Sequence, residues 1–344
     1  MARSSTHPPR TPASRAAPPA RLALGCAQLG NLYRERTDEQ ARAILEATWD
    51  VGVRHYDTAP HYGLGLSERR LGEFLRSKPR SEFTVSTKVG RLLVPNPDPE
   101  GAARLDDEGF AVPAAFRRVW DFSAAGVRAS LDASLERLGL DHVDTVLIHD
   151  PNEHAQQALT TAVPALTALR DQGVIGSVGV GNRDTALLTR FVRETDIDVV
   201  MLAGRYTLLD QSALDDLLPA CLEHAVTVLN AAIFNSGILA QARPDAYARF
   251  EYGAAPPRVL KRAAAIAAIC ASYHTSLPAA AMAFSAAHPA VTAIVVGADD
   301  AQQVRDNSAL LAWPPPAALW DDLVSAGLLR ADAPVPAQAP TPRR

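Results

Sequence analysis

Eight short apolar runs, separated by stretches of helical periodicity, constrain the fold of this 344-residue chain most strongly. Near-continuous apolar runs are typical of parallel strands that are covered on both faces. Between them, apolar residues recur every three or four positions, as in amphipathic helices. The eight strand candidates are 22–26, 53–57, 83–87, 143–148, 175–180, 199–202, 226–231 and 293–296. The clearest helix candidates are 38–50, 67–76, 123–138, 155–172, 185–194, 212–224 and 258–273.

This alternation predicts an α/β fold, a single (β/α)8 barrel of the TIM type. A doubly wound open sheet is the alternative on periodicity alone. Two connections, 90–121 and 234–257, are longer than the fold needs and carry several prolines. Loops of this length in a compact domain are usually lids or binding loops. Both follow strands at the carboxyl side of the barrel, so we expect both to wall a substrate site.

Composition excludes several classes of protein. Hydrophobic residues make up 47% of the chain, charged residues 21%, and the net charge is −4. An acidic balance disfavours nucleic acid and anionic membranes as partners. No apolar run approaches the roughly 20 residues that span a bilayer. Three scattered cysteines, Cys26, Cys221 and Cys270, lie in apolar segments and are predicted to be buried and reduced. A cytoplasmic enzyme is the expectation.

The two ends of the chain have a different composition from the middle. Residues 1–20 contain arginines and Pro-Pro pairs but no acid, and 331–344 are rich in proline and alanine. An acid-free, arginine-containing start can indicate a transit peptide. Proline pairs disfavour the amphipathic helix of such a peptide, so both ends are predicted to be disordered. The barrel is therefore assigned to 21–330.

Polar side chains at the ends of three successive strands predict a proton-transfer site. Asp57 ends one strand and precedes Tyr62 by five residues, Lys88 ends the next, and His149 ends a third. Carboxyl ends of parallel strands meet at one face of a barrel. A free tyrosine has a pKa near 10, and a lysine ammonium beside the phenol lowers it by stabilising phenolate. We assign Tyr62 to proton transfer, Lys88 to tuning the phenol, Asp57 to anchoring Lys88, and His149 to orienting the substrate oxygen.

A purely structural interpretation of these residues is weaker than the catalytic one. Taken alone, Asp57 and Tyr62 fit a turn and a loop, and His149 fits a structural histidine. Lysine, however, supplies only three of the chain's 34 basic residues, so a lysine ending a buried strand needs a reason. A compact ammonium fits between an acid and a phenol where a planar guanidinium does not. His149 followed by Asp150, Glu153 and His154 could bind metal, but helix-borne ligand spacing is missing, and no metal is predicted.

These residues, in this order, resemble those of the aldo-keto reductase superfamily. The resemblance runs from about Leu22 to Asn307. Its motifs include GVRHYDTA (52–59), LERLGLDHVD (135–144), GVIGSVGVGN (173–182) and QVRDN (303–307). Two further motifs, MLAGRYTLL (201–209) and FNSGIL (234–239), resemble the branch that contains L-fucose and D-threo-aldose 1-dehydrogenases. The resemblance implies the same barrel and the same four catalytic roles.

The resemblance also implies a nicotinamide cofactor. Asn182 and Gly181 correspond to the site of the nicotinamide carboxamide, although many relatives have serine where this chain has Gly181. Many relatives stack an aromatic ring on nicotinamide after strand seven, where this chain has Ala231-Ala232. Phe234 and Tyr206 are the two candidates to supply the stacking ring in its place. The implied cofactor-binding residues are Asn182, Gly181, Phe234, Gly237, Gly297, Gln303, Asp306 and Asn307.

The segment from Gly297 to Gln303 favours NAD over NADP. Relatives that use NADP place Lys or Arg and a hydroxyl here to hold the 2′-phosphate, whereas this chain has Gly297, Ala298 and Gln303. Asp299 and Asp300 add negative charge, which is unfavourable to a phosphate. Arg305 is the one cation expected nearby.

The leading hypothesis is an NAD-dependent oxidation of the C1 hydroxyl of a free aldopyranose to the aldonolactone. His61, Trp120, Arg205 and Asn235 are predicted to contact the sugar, from their polarity and loop positions. A pyridoxal 4-dehydrogenase or a general aldehyde or ketone reductase is the alternative within the superfamily. A cofactor-sensing regulatory subunit is the non-enzymatic alternative. Only small-molecule partners are expected, with the protein a monomer or a homodimer.

Overall fold

The computed structural model describes residues 21–251, 253–312 and 314–336. Its strands, in chain order, are β1 (Arg21–Gly25), β2 (His55–Asp57), β3 (Thr84–Val89), β4 (Arg91–Pro95), β5 (Phe116–Trp120), β6 (Val143–His149), β7 (Ile175–Asn182), β8 (Val199–Ala203), β9 (Thr227–Ala231), β10 (Arg249–Phe250), β11 (Gly253–Ala254) and β12 (Val291–Val296). Eight of them close into a barrel in the order β1-β12-β9-β8-β7-β6-β3-β2. All neighbouring barrel strands are parallel. The predicted (β/α)8 barrel is confirmed, and the doubly wound alternative is wrong.

Helices alternate with the barrel strands. They are α1 (Asp38–Asp50), α2 (Leu66–Leu75), α3 (Pro99–Ala103), α4 (Ala124–Leu138), α5 (Ala155–Gln157), α6 (Val163–Asp171), α7 (Thr185–Glu194), α8 (Leu217–Glu223), α9 (Pro257–Ser272), α10 (Leu277–Ser285), α11 (Ala301–Leu310) and α12 (Ala317–Ser325). Polar caps fix several starts: Thr37 and Gln40 form a capping box at α1, and Ser123 caps α4. None of the described helices is long and apolar enough to span a lipid bilayer.

One predicted helix, 212–224, is shorter in the structure. A 3₁₀ turn at Ser212–Leu214 is followed by α8, which begins at Leu217. Pro219 therefore falls in the first turn of α8, where its missing N–H is not needed for an intrahelical hydrogen bond. The proline thus explains why a regular helix does not extend through it from Ser212.

Strand alternation divides the apolar side chains into two layers. On β8, Val199 and Met201 join a small cluster in the barrel interior, while Val200 and Leu202 face the helices. The interior cluster also takes Ala23, Leu147, Leu229, Ala293 and Val295. It fills the lumen, so the barrel has a packed interior and its polar side chains gather at the rim.

The first long connection is largely ordered. β4 and β5 pair as an antiparallel hairpin, with Arg91 opposite Trp120 and Pro95 opposite Phe116. We call this segment, 90–121, the rim hairpin. In the second long connection, β10 and β11 form a much shorter antiparallel pair.

The first six residues of the predicted tail are described by the structure. Residues 331–336 follow the barrel surface: Ala333 is buried, and the Pro334 carbonyl accepts a hydrogen bond of 3.2 Å from Tyr206 Oη. The predicted domain limits, 21–330 with a disordered tail after them, stay a prediction. The remaining tail, 337–344, and the predicted extension, 1–20, lie outside the described residues. Cys26, Cys221 and Cys270 are buried and unpaired, as predicted.

Candidate active site

The four predicted catalytic side chains meet at the carboxyl ends of neighbouring strands. Asp57 is the last residue of β2, and His149 is the last residue of β6. Lys88 lies near the end of β3, which pairs with both of those strands. Tyr62 belongs to the loop that follows β2. The barrel therefore converts four separate sequence positions into one cluster.

Lys88 is the centre of this cluster. Its Nζ lies 2.7 Å from Asp57 Oδ2, 2.9 Å from the Thr58 carbonyl and 3.1 Å from Tyr62 Oη. An ammonium has three N–H donors, so all three are used. Ser86 Oγ donates to the other oxygen of Asp57 at 2.7 Å, which fixes the carboxylate. The phenol is thus held against a buried and fully coordinated cation.

The cluster is buried, so its charges interact strongly. Side-chain exposure is 2% for Lys88 and 3% for Asp57. Burial alone would lower the pKa of Lys88, but the Asp57 carboxylate and the Tyr62 phenol raise it above its ordinary value. Lys88 is therefore charged at neutral pH. A cation at hydrogen-bond distance favours the phenolate form of Tyr62.

His149 faces the same space as a neutral imidazole. Burial lowers its pKa well below the ordinary value, and the positive charges of Arg91 and Lys88 lower it further. Its ring stands perpendicular to that of Tyr62, with centroids 6.0 Å apart. A neutral imidazole has one N–H donor, which suits the predicted role of orienting a substrate oxygen.

Two glycines set the position of the Tyr62 loop. Gly63 has a φ of 61°, and the space that a Cβ on it would need is filled by the backbone of Gly30. A Cβ on Gly30 would lie 2.5 Å from the carbonyl carbon of Tyr62 and 2.8 Å from Gly63 N. Both contacts are with backbone, so a side chain at Gly30 has to displace the loop that carries Tyr62.

Replacing Gly30 by alanine is therefore expected to lower kcat by about tenfold to a hundredfold, because misplacing a reacting group by about 1 Å costs up to about a hundredfold. Steady-state rates check this. Gly253→Ala is the control, since its nearest atom would be 3.9 Å from the new Cβ and its φ is not positive. A Gly30→Ala protein with unchanged kcat would contradict the close-approach argument.

The rim hairpin brings Arg91 and Trp120 over the cluster. The Arg91 guanidinium lies 4.5 Å from the centre of the Trp120 ring. Arg91 Nη1 is 3.3 Å from His61 Nδ1, and the His61 ring is 5.4 Å from that of His149. Burial, followed by the charges of Arg91, Arg118 and Lys88, lowers the pKa of His61 to about 2. Of the predicted substrate residues, His61 therefore contacts the cluster directly and Trp120 lies beside it through Arg91.

Arg205 and Asn235 lie in a different part of the rim. They line a pocket, together with Arg183, Gly204 and Glu251. Glu251 forms ion pairs with both arginines, 2.6 Å from Arg183 and 2.5 Å from Arg205. Asn235 donates to the Gly204 carbonyl at 3.2 Å. None of these contacts reaches the Tyr62 cluster, and Arg183 and Glu251 were not predicted.

Asn182 joins the two parts of the rim. It ends β7, beside His149 and next to Arg183 in the chain, and Gly181 pairs with His149 in the sheet. Its Nδ2 donates to Asn152 at 2.8 Å, and its Oδ1 accepts from two backbone N–H groups, which fixes the amide plane. Phe234 packs against the main core, and Gly237, with a φ of 97°, faces open space.

Tyr206 does not fit its predicted role. The side chain is fully buried, its ring lies 4.8 Å from that of Phe284, and its hydroxyl donates to Pro334. A ring in the core outside the barrel cannot stack on a ligand at the rim. The suggestion that Tyr206 replaces the missing aromatic is therefore wrong, and Phe234 is the remaining substitute.

The segment 297–307 also has unexpected neighbours. Asp300 caps α11, and the Gln303 side chain accepts from Asp299 N at 2.6 Å. Asp299 forms an ion pair with the buried Arg36, and Arg34 Nη2 is 3.4 Å from the Asp299 carbonyl. The expectation that Arg305 is the one nearby cation is wrong, because Arg34 and Arg36 reach this segment from the β1–α1 connection.

The rest of the predicted cofactor segment is divided between surface and interior. Arg305 and Asp306 are exposed and contact the side chain of Gln302. Asn307 is buried and lines a small cavity beneath α11, next to Val304 and Ala298. Gly297 lies against Gln28, whose side chain occupies the space a Cβ would need.

Among residues 21–251, 253–312 and 314–336, no three His, Cys, Asp or Glu side chains are grouped so that they could hold a metal ion. Glu153 and His154, which followed His149 in the sequence argument, fall in a 3₁₀ turn. The ring of His154 packs on Trp120 and Phe122, with centroids 5.7 and 5.4 Å away. The metal-free site stays a prediction.

Residues 21–326 match the aldo/keto reductase family. The chain belongs to this family. As an aldo-keto reductase it is an oxidoreductase that acts on CH–OH groups. The resemblance seen in the sequence is thereby confirmed.

Two curated relatives resemble this aldo-keto reductase over most of their length. D-threo-aldose 1-dehydrogenase from a Pseudomonas species is 48% identical over 327 residues, covering 95% of this chain and 99% of the relative. Pyridoxal 4-dehydrogenase from Microbacterium luteolum is 38% identical, covering 90% and 94%. The first belongs to the branch that the sequence motifs resemble, and the second has the activity given above as the alternative.

Solved structures agree on the fold. A glycerol dehydrogenase from Gluconobacter oxydans superposes with a TM-score of 0.73, at 21% identity and with 96% of this chain and 97% of that chain covered. The holo form of an aldo-keto reductase from Bacillus halodurans gives 0.68 at 22% identity, covering 91% and 93%. At this identity the likeness shows only the barrel.

Proposed function

We propose that this aldo-keto reductase oxidises the C1 hydroxyl of a free aldopyranose, of the L-fucose or D-threo-aldose type, to the aldonolactone, with NAD as oxidant. The observation that carries the reaction type is the contact of Lys88 Nζ with both Asp57 and Tyr62 Oη. The substrate class is supported by the 48% identical D-threo-aldose 1-dehydrogenase. The cytoplasmic location and the oligomeric state stay predictions.

The rim has the groups that a dinucleotide needs. The amides of Asn182 and Asn235 can pair with a carboxamide or ribose. Arg183 and Arg205, both paired with Glu251, can donate to a diphosphate through their remaining N–H groups. Gly181 and Gly237 leave the approach open, since a Cβ on Gly181 would meet nothing within 3.5 Å. When bound, nicotinamide supplies the acceptor for the hydride that leaves C1.

The protein's own residues handle the proton and the oxygen. Tyr62, as phenolate, takes the proton from the C1 hydroxyl, and Lys88 stabilises the phenolate before that step. His149 donates a hydrogen bond to the same oxygen and fixes its direction. Asp57 keeps Lys88 in place and takes no proton.

The test is a panel of aldopyranoses and pyridoxal with NAD, followed by NADH absorbance and by identification of the product. L-Fucose and D-threo-configured aldoses are expected to give the highest kcat/KM and a lactone product. The 38% identical pyridoxal 4-dehydrogenase makes pyridoxal the second candidate. A higher kcat/KM for pyridoxal, with negligible turnover of sugars, would replace the proposal by that activity.

We expect NAD to be preferred over NADP, because residues 297–303 include no lysine or arginine for a 2′-phosphate and the guanidinium of Arg36 is paired with Asp299. Gln303→Arg should raise kcat/KM for NADP by about tenfold to a hundredfold, the value of a charge-assisted hydrogen bond. Adding Asp299→Asn should raise it further. Gln302→Arg, which adds the same charge one position away on an exposed site, is the control.

The contrary outcome would be a wild-type protein that already favours NADP. The exposed Arg34, which lies at the Asp299 carbonyl, would then be the cation that holds the phosphate. Arg34→Gln would lower NADP use selectively in that case. The kcat/KM values for NAD and NADP, measured on wild type and on these variants, therefore show which residues set the cofactor preference.

A further inference from the structure

We propose that Asp150, held in place by Arg91, recognises the 2-hydroxyl of the sugar, next to the reacting carbon. The inference rests on the proposed function and names the residue that makes the site specific for a hydroxylated substrate. The sequence did not single out Arg91, and it named Asp150 only in a possible metal-binding run, because the role proposed here lies in their geometry at the rim.

The backbone of Asp150 is directed by an unusual conformation. Its φ is 46°, in the left-handed region that residues other than glycine adopt infrequently. The Asp150 N–H donates to the Gly181 carbonyl at 3.0 Å, so the chain turns sharply directly after β6. This turn places the carboxylate beside the His149 ring, with Asp150 Oδ2 3.6 Å from His149 Nε2. Strained positions of this kind are concentrated at ligand sites.

Arg91 fixes the same oxygen of the carboxylate. Its Nη2 lies 2.7 Å from Asp150 Oδ2, and its side chain is only 11% exposed. The guanidinium is stacked on the Trp120 ring. Its Nε is buried and has no hydrogen-bond partner among the described residues. The guanidinium therefore has one N–H donor that no described residue uses.

Asp150 keeps one oxygen for a ligand. No group in the described part of the chain donates a hydrogen bond to Oδ1, and the side chain is 39% exposed toward the rim. An ionised carboxylate accepts hydrogen bonds only, so the natural occupant is a donor such as a hydroxyl. A charged acceptor that is left facing a ligand without a hydroxyl is penalised, which gives strong discrimination.

The position of His149 identifies which hydroxyl this is. His149 is assigned to the C1 oxygen, and the Asp150 carboxylate lies directly beside its ring. In an aldopyranose C1 is bonded to the ring oxygen and to C2, and of these only C2 carries a hydroxyl that can donate to a carboxylate. The half-exposed Trp120, stacked on the same Arg91, offers its ring face to the C–H side of a sugar.

The experiment compares an aldopyranose with its 2-deoxy analogue on wild type, Asp150→Asn and Asp150→Ala, with kcat/KM measured for each. Wild type should prefer the parent sugar by at least about tenfold, as expected for a hydrogen bond to a charged group. Both variants should lose that preference, mainly by turning over the parent sugar more slowly. The rate on the 2-deoxy analogue should change much less.

A purely structural role for the pair predicts another pattern. If Arg91 and Asp150 only anchor the rim hairpin, the variants should slow both sugars equally. Asp106→Asn is the matched control, because the buried Asp106–Arg118 pair also anchors the hairpin but is not at the Asp150 carboxylate. It should slow both sugars by the same factor and retain the preference for the 2-hydroxyl.

Two negative outcomes are distinct. If wild type oxidises aldopyranoses and both Asp150 variants retain its preference for the 2-hydroxyl, the inference is overturned while the proposed function stands. If wild type oxidises no sugar in the panel, the proposed function fails and the inference fails with it. The assignment to C2 would also be overturned if the Asp150 variants lost the preference for the parent sugar over its 3-deoxy analogue but kept the preference over its 2-deoxy analogue.

Discussion

Tyr62→Phe is expected to lower kcat by about 10²–10⁴-fold, the usual contribution of a general acid–base group. The substitution removes only the hydroxyl that lies 3.1 Å from Lys88 Nζ, and the ring can keep its contacts with Phe110 and His149. The loss should fall on kcat, since the phenol serves the proton and not the binding of NAD. Steady-state kinetics and NAD titration by protein fluorescence measure the two effects separately.

The control for this prediction is Tyr247→Phe. Tyr247 is 91% exposed, so removing its hydroxyl changes no buried contact. Its kcat should equal that of wild type. A Tyr62→Phe protein that keeps about a tenth of wild-type kcat would show that another group moves the proton.

The barrel could be predicted from the sequence because its strands are apolar on both faces. All eight predicted barrel strands overlap strands of the structure, and α7 has the predicted bounds. Apolar periodicity did not predict α10. α10 is apolar almost all round, with Leu277, Met282 and Phe284 buried among alanines, so no face of it stands out as amphipathic.

The grouping of Asp57, Tyr62, Lys88 and His149 could be predicted because three of them lie in the last two residues of barrel strands and Tyr62 lies in the loop after β2. The rim could not, because its contacts join residues far apart in the chain. Arg91 and Asp150 are 59 positions apart, and Arg36 and Asp299 are 263 apart. An arginine in a loop gives no indication in the sequence of which carboxylate it will meet. For the same reason the sequence did not predict that Arg205 pairs with Asp210 and Glu251, and its role toward the substrate stays a prediction.

The charge balance of the cofactor segment shows how such a contact changes an argument. Asp299 and Asp300 suggest an anionic patch when the segment is considered alone. In the structure, Asp300 caps α11, and Asp299 is neutralised by Arg36. What disfavours a 2′-phosphate is therefore the absence of a cation within 297–303 itself more than repulsion, and this is why the Gln303→Arg test is more informative than removal of either acid.

Lys88→Met is expected to destabilise the fold as well as the reaction. The substitution leaves Asp57, whose side chain is 3% exposed, without its cation. Removing one partner of a buried ion pair typically costs about 3–5 kcal/mol, because the remaining charge is uncompensated. Denaturant unfolding measures the loss. Lys261→Met, at an exposed position, is the control and should change the free energy of unfolding little. Adding Asp57→Asn to Lys88→Met should recover part of the loss by removing the stranded charge.

The same substitution should shift the pH dependence of sugar oxidation. Oxidation requires the phenolate of Tyr62, so the rate rises with pH through an apparent pKa, and activity is lost as pH falls. With Lys88 present, that pKa should lie below the value of about 10 for free tyrosine, because the ammonium 3.1 Å away stabilises the anion. In Lys88→Met the stabilising charge is gone and Asp57 contributes a repulsive one. The rise of the rate with pH should therefore move to higher pH, and kcat at neutral pH should fall.

The measurement is kcat against pH for both proteins, with the variant assayed in denaturant-free buffer at a temperature where it is folded. A folded, active Lys88→Met enzyme with the wild-type profile would mean that Lys88 supports the architecture of the site without setting the basicity of the phenol.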